Sequence, residues 1–390
     1  MRIQLIARRS RGESGAIAIM VAGMAMAIFL LAAFAIDFGV AYNSKRQLQT
    51  AADSAALAGA AVFAKYSGTC ATLIGTPAIV TEAQNAAISK ADDNRSGQTL
   101  TWKTPTCVNG NPQVTVNSAG TTSSLFGNLG GIGNNVLSSR SASAITDVPN
   151  SILSGLRPYA ICSASLPASG TTFPTPVIRV GVPGGLSAPP GTSCPVPSGN
   201  WWTVDCPGDG SNGPLALNTQ NGCSTTVSIV PNQPAVGDPA LGPFLIAACP
   251  SGSSSCLTSN PGNLASSNLA SAWDTLLGKT ILVPVFCGQP SCNPPGISSG
   301  AGGNNGIYPV HRFASITVCG YHWHNRTNQI ATGVCANNPN AYTVSTGSNQ
   351  DNYMLVSYSN ILVSGDTSTS TCQVGDSTCD IGARRVRLSE

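Results

Sequence analysis

Between Gly15 and Ile36 the chain reads GAIAIMVAGMAMAIFLLAAFAI, a 22-residue run without charge or proline. As a helix it rises about 33 Å, enough for a hydrocarbon core of roughly 30 Å. Asp37 closes the run. Later apolar stretches, Ala55–Ala64, Phe244–Cys249 and Ile281–Phe286, are too short to cross a bilayer. One membrane-spanning segment is therefore expected. Arg2, Arg8, Arg9 and Arg11 precede it, whereas Lys45 and Arg46 are the only bases within ten residues after it. The bias of basic residues predicts a cytoplasmic N-terminus and an extracytoplasmic C-terminus, with Arg8, Arg9, Arg11 and Asp37 marking the topology. Two other readings of this end stay open. A secretory signal would be cut near Ala33-Phe34-Ala35, and a pilin-type leader near Gly15. Pilin-like subunits that polymerise resemble one another in a Glu five positions into the mature helix, where this chain has Met20.

The cysteines agree with that topology independently. All 14 lie between Cys70 and Cys379, and disulfides persist in oxidising compartments rather than in cytosol. Up to seven bridges are expected, with open connectivity. Only 9% of the 390 residues are charged, against about 25% in ordinary soluble domains. A net charge of +3 gives no basic surplus for nucleic acid. A hydrophobic content of 42% excludes a disordered chain.

From Asp37 to Ala64 the residues are strong helix formers and no proline intervenes, so the spanning helix is expected to continue outward until about Gly68. Ala52, Ala55, Ala56 and Gly59, spaced by three and four, form a face of small side chains. Such faces let another backbone approach closely. The face could pack on the chain's own outer part or on another subunit, including a second copy. It could also reflect helix propensity alone.

The stretch Arg11–Ala61 resembles the N-terminal segment of TadG-like proteins of the tight-adherence (Tad/Flp) pilus assembly family. The likeness rests on RGESGAIAI (Arg11–Ile19), the Ala-rich span, Asp37 with Gly39, Tyr42, and Arg46-Gln47-Leu48-Gln49. It continues through Ala51-Ala52-Asp53 and AALAGA (Ala55–Ala60). A looser similarity to the C-terminal part of Tad-like envelope proteins runs through Val283-Pro284-Val285-Phe286, Gly306, Tyr308, Arg312-Phe313-Ala314 and Gly320-Tyr321. The resemblance implies a non-enzymatic envelope protein acting in pilus assembly, anchoring or secretion. Its partners would be the lipid bilayer and other pilus-assembly or envelope proteins. A surface adhesin and a minor pilin-like subunit are the alternatives.

The fold class expected is α+β, with a single N-terminal transmembrane helix followed by a disulfide-rich, β-rich region. The chain divides into a basic leader (1–14), the span (15–36), a juxtamembrane helix (37–66) and a small α+β unit (67–150). A loop-rich, disulfide-stapled region (151–262), a helix with antiparallel strands (263–365) and a tail (366–390) follow. Strands are expected at Val114–Val116, Ser138–Val148, Tyr159–Cys162, Val177–Val182, Trp201–Val204 and Val227–Val230. A helix at Asn263–Leu277 leads to strands at Thr280–Phe286, Phe313–Cys319, Tyr342–Thr346 and Met354–Val363. Local disulfide loops are expected at Cys249–Cys256 and Cys372–Cys379. The closing Arg384-Arg385-Val386-Arg387 reads as a solvated, frayed end.

Chemistry-bearing motifs are sparse. All three histidines, His311, His322 and His324, fall within 14 residues. His322 and His324 would share a strand face, a chelating spacing for Zn²⁺ or Cu²⁺, although surface histidines look the same. Asp366-Thr367-Ser368-Thr369-Ser370 fits the D-x-S-x-S metal motif of von Willebrand A domains, but 20 residues remain after it, too few for that fold. No G-x-S-x-G elbow presents a serine, and the only Glu residues after the span are Glu82 and Glu390. Neither catalytic residues nor a cofactor are expected.

Overall fold

The computed structural model describes residues 14–124, 126, 135–168, 171–181, 203–209, 214–229, 254–260, 266–286, 307–323, 326–336, 353–365, 372–377 and 379–389. The helices in chain order are α1 (Ser14–Phe63), α2 (Cys70–Gly75), α3 (Pro77–Asn94), α4 (Leu215–Asn221) and α5 (Ser267–Asp274). The first strands are β1 (Thr99–Trp102), β2 (Thr106–Val108), β3 (Asn111–Ser123), β4 (Asn135–Asp147), β5 (Ser151–Ile152), β6 (Ile161–Cys162) and β7 (Ile178–Gly181). Then come β8 (Val227–Ser228), β9 (Cys256–Thr258), β10 (Thr280–Phe286), β11 (Ile307–Pro309) and β12 (Arg312–Trp323). The last are β13 (Arg326–Gln329), β14 (Tyr353–Tyr358), β15 (Ile361–Leu362) and β16 (Ala383–Ser389). The chain is thus α+β, a long N-terminal apolar helix followed by a β-rich region with several disulfides.

Two compact units divide these elements. The first comprises Met1–Ala55, Ile88–Lys103 and Val116–Ala142; the second comprises Ala56–Ala87, Thr104–Thr115 and Ser143–Glu390.

In the first unit α1 changes character along its length. Large apolar side chains from Ile17 to Tyr42 are exposed all around the helix. Beyond them Ser44, Leu48, Ala51, Ala52 and Ala55 are buried, at spacings of four, three, one and three. That is a one-sided stripe, the pattern of a helix lying on a protein surface. β1 pairs antiparallel with β3, with Trp102 opposite Val116. Gly120 on β3 lies close to α1: a Cβ there would sit 3.4 Å from Leu48 Cδ2 and 3.3 Å from the Arg95 guanidinium.

In the second unit the core belongs to a six-stranded sheet in the order β6-β10-β12-β14-β7, with β13 also pairing with β12. β6 and β10 run parallel and the other pairs antiparallel. β12 is buried from Phe313 to Trp323, so both of its faces are covered. The register shifts between Val318 and Gly320, where the hydrogen-bonded neighbours crowd the backbone. A Cβ on Gly320 would lie 2.9 Å from Gln329 Cβ, so only glycine fits. α5 begins at Ser266, whose side chain accepts the Leu269 N–H. It buries Leu269, Ala270, Ala272 and Trp273. Trp273 joins Tyr159, Tyr321 and Trp323 in an aromatic cluster, and its Nε1–H donates to Tyr159 Oη at 2.9 Å. The buried indole is thereby satisfied.

Bridges link Cys70 to Cys107, Cys206 to Cys223, Cys319 to Cys335 and Cys372 to Cys379. Cys162 and Cys256 are also disulfide-bonded. The Cys372–Cys379 loop is as the spacing suggests, whereas Cys249 lies outside the described residues.

Several elements differ from their sequence readings. The expected strand Val114–Val116 is the middle of β3, which opens directly after Asn109-Gly110. Both turn residues have positive φ, 50° and 75°, the conformation of a two-residue hairpin turn joining β2 to β3. Of the helix expected over Asn263–Leu277, residues 263–265 lie outside the described residues, and α5 covers Ser267–Asp274. The strand expected over Met354–Val363 breaks at Ser359 and Asn360 into β14 and β15. Tyr342–Thr346 lies outside the described residues. The basic tail requires a correction. Arg384 and Arg385 are not solvated but buried at 1% and 2% exposure, on β16, which pairs with β4 and β15. Carboxylates waiting in the fold make that burial possible.

Candidate functional site: a membrane-length helix and its fastenings

The segment of α1 from Ile17 onward is the one described helix long and apolar enough to cross a membrane. The large side chains of its apolar window are exposed: Ile19 is 75% and Phe29 74% exposed. An all-round apolar helix is stable only where lipid or protein replaces water. Arg8, Arg9 and Arg11 lie outside the described residues. Asp37, at the end of the apolar run, is held in the first unit. Its Oδ2 accepts the Ser124 hydroxyl at 2.5 Å and the Phe126 N–H at 2.9 Å. Seven residues on, the Ser44 carbonyl and hydroxyl each accept a bond from Arg95 Nη1 at 2.8 Å. Thr122 donates to the same hydroxyl. The helix is therefore gripped by hydrogen bonds from the residue where its apolar run stops.

Ala52, Ala55, Ala56 and Gly59 are all buried within the chain.

In the second unit the end of α1 meets β16. Arg384 Nη1 donates to the carbonyls of Phe63, at 3.2 Å, and Tyr66. These carbonyls lie at and just beyond the C-terminus of α1, where the dipole favours a cation. Asp380 pairs with the same guanidinium at 2.7 Å. Its carboxylate also accepts the Gly375 N–H at 2.8 Å. One turn earlier, Thr146 Oγ1 on β4 donates to the Ala60 carbonyl at 2.6 Å. Asp147 beside it pairs with Arg385 at 2.5 Å and Arg387 at 3.0 Å. Sequence reasoning missed this cluster. The available signal was the alternation of RRVR: on a strand Arg385 and Arg387 share one face and Arg384 takes the other.

His311 and His322 do not converge. His311 precedes β12 and His322 lies near its far end, eleven residues along an extended strand, about 35 Å. His322 Nδ1 bonds Thr327 Oγ1 at 2.5 Å, and its ring stacks on Tyr353, over which Arg179 also sits at 3.9 Å. His324 and the Asp366–Ser370 motif lie outside the described residues. Among the described residues no group of three or more His, Cys, Asp or Glu could hold a metal ion.

Comparison with known families bears on the helix. The Tad family model, described as "Putative Flp pilus-assembly TadE/G-like", matches residues 15–62. Residues 15–62 are thus similar to the TadE/G-like segment of Flp pilus-assembly proteins. That segment is α1 nearly end to end, so it takes in both the exposed span and the buried stripe. No curated protein and no solved structure matches the chain.

His311 supplies a pH prediction for the β-rich unit. It is 2% exposed, and its Nε2 has no hydrogen-bond partner among the described residues. Burial, and then the charge of Arg312, lower its pKa from 6.5 to about 4. The unfolded chain therefore takes up a proton below about pH 6.5 that the folded chain refuses until about pH 4. Stability is expected to fall as pH drops through that window, by up to about 1.4 kcal/mol per pH unit. Urea denaturation of His311→Gln at pH 7, 6, 5 and 4 checks this. The variant should show a shallower decline than the parent, and an identical slope would refute the assignment.

Proposed function

We propose that the chain is a single-pass envelope protein of the tight-adherence pilus system, acting without catalysis. α1 anchors it in the membrane with the N-terminus in the cytoplasm. The β-rich region stands outside, where it engages other pilus-assembly or envelope proteins. The observation that carries this reading is the TadE/G-like match falling on an exposed, membrane-length helix. The arginines before the span and the confinement of every cysteine beyond it support the orientation. The helix fixes the protein in the bilayer, and its outer half is built into the fold.

A clean deletion strain tests the reading. Surface pili counted by electron microscopy, and adherence to glass, should both drop and should return on complementation. Normal pilus number and adherence after deletion would end the proposal.

A further inference from the structure

Two hollows in the second unit share Phe173 as a wall. The first, about 330 Å³, carries the hydroxyls of Ser67, Thr69, Thr72, Thr171 and Thr172. The second, about 420 Å³, carries Thr280, Thr317, Thr332, Ser359 and the Asn360 amide. Both volumes fall within the range of small-molecule sites, roughly 300–1,000 Å³.

The two hollows are tied into one frame. Ser67 Oγ accepts the Phe173 N–H at 2.9 Å and an Asn360 Nδ2–H at 3.2 Å. Asn360 Nδ2 also donates to the Lys65 carbonyl at 3.0 Å. Its Oδ1 is buried without a hydrogen-bond partner among the described residues. In the second hollow Thr280, Thr317 and Ser359 form a run of hydroxyls at 2.8 and 2.9 Å. The half-buried Phe173 ring stacks on Tyr358 at 6.4 Å. Tyr358 is itself fixed by its hydroxyl bond to the Ser165 carbonyl at 3.0 Å. The cations at the rim are already matched, Lys65 by Glu82 and Arg384 by Asp380.

We propose that these hollows form one binding site for an uncharged polyhydroxylated chain, an oligosaccharide. Hydroxyl groups both donate and accept, so serine and threonine hydroxyls pair with a sugar without a fixed polarity. The ring of Phe173, held from behind, offers a platform for the aliphatic face of a sugar. An anionic ligand would need an unmatched cation, and a peptide strand would need a free sheet edge. Neither describes these walls. This inference goes beyond the pilus-assembly reading and does not depend on it.

The test uses the full chain in a sugar-free detergent, titrated calorimetrically with the tetramer of N-acetylglucosamine, maltotetraose and cellotetraose. At least one should bind saturably with a submillimolar Kd. Phe173→Ala should weaken it by about tenfold or more. Thr332→Trp, at an exposed rim position, should do the same by filling the second hollow while leaving the core untouched. No saturable binding of any of the three up to about 10 mM would overturn the proposal. So would binding that both variants leave unchanged.

Discussion

Asp147→Ala is expected to lower the stability of the β-rich unit by about 3–5 kcal/mol, the cost of stripping one partner from a buried ion pair. Asp147 and Arg385 are each 2% exposed, and Arg387 leans on the same carboxylate. Removing the carboxylate takes the ion-pair partner from the buried Arg385 guanidinium and from Arg387 as well. The thermal midpoint should fall by at least about 6 °C. Arg385→Met alone should also destabilise, because Asp147 keeps only the half-exposed Arg387. The double variant Asp147→Leu with Arg385→Met should recover most of the loss, since apolar replacement of a whole buried pair is often neutral. Thermal denaturation of the three variants followed by circular dichroism decides the matter. A midpoint for Asp147→Ala within about 1 °C of the parent would show that the pair carries little of the fold.

That cluster also marks where sequence reasoning stops. The span is legible because the constraint is local: 22 uncharged residues can satisfy their backbone within one helix, and lipid asks for nothing more. The continuation past Asp37 is legible for a similar reason, being helix-forming residues without a proline. The ion pair joining Arg385 to Asp147 spans 238 residues, and nothing in either neighbourhood names the other. Charge near a chain end ordinarily means solvent, and only strand pairing between β4 and β16 reverses that. The length of β3 is hidden differently. Its outer residues, Asn117 to Ser123, are small and polar, so they lack the hydrophobic alternation by which strands are recognised. Backbone pairing with β1 holds Asn117 to Ala119. The small-residue face on α1 was visible, but what would cover it was not. Ala52, Ala55, Ala56 and Gly59 are buried.

The two halves of α1 therefore answer to different solvents. Up to Asp37 the side chains face outward and are apolar; from Ser44 the buried stripe is made of small residues, and polar partners grip its flanks. Both halves belong to one unbroken helix. No proline interrupts Ser14–Phe63, and Gly23 and Gly39 lie in open space. The proposed role for such a helix is to anchor the chain in a bilayer.

If that is its role, placing two charges in the exposed run should release the protein. Met26 and Leu30 are one turn apart, 67% and 53% exposed, and near the middle of the apolar stretch. Arginine at a helix centre costs about 2.5–3.5 kcal/mol on insertion scales, so Met26→Arg with Leu30→Arg should disfavour insertion by about 5–7 kcal/mol. That exceeds a thousandfold shift in partition, at about 1.4 kcal/mol per tenfold. The double variant should move from the carbonate-resistant pellet to the soluble or degraded fraction, while Met26→Leu with Leu30→Ile should stay in the pellet. Tyr42→Arg provides the positional control. It lies five residues beyond Asp37, at 58% exposure, where a charge can reach water. It should leave extraction unchanged. If the double-arginine chain resists carbonate as the parent does, the run from Gly15 to Ile36 is not what holds the protein in the membrane. The apolar exposure of α1 would then need a protein partner to cover it, since water cannot.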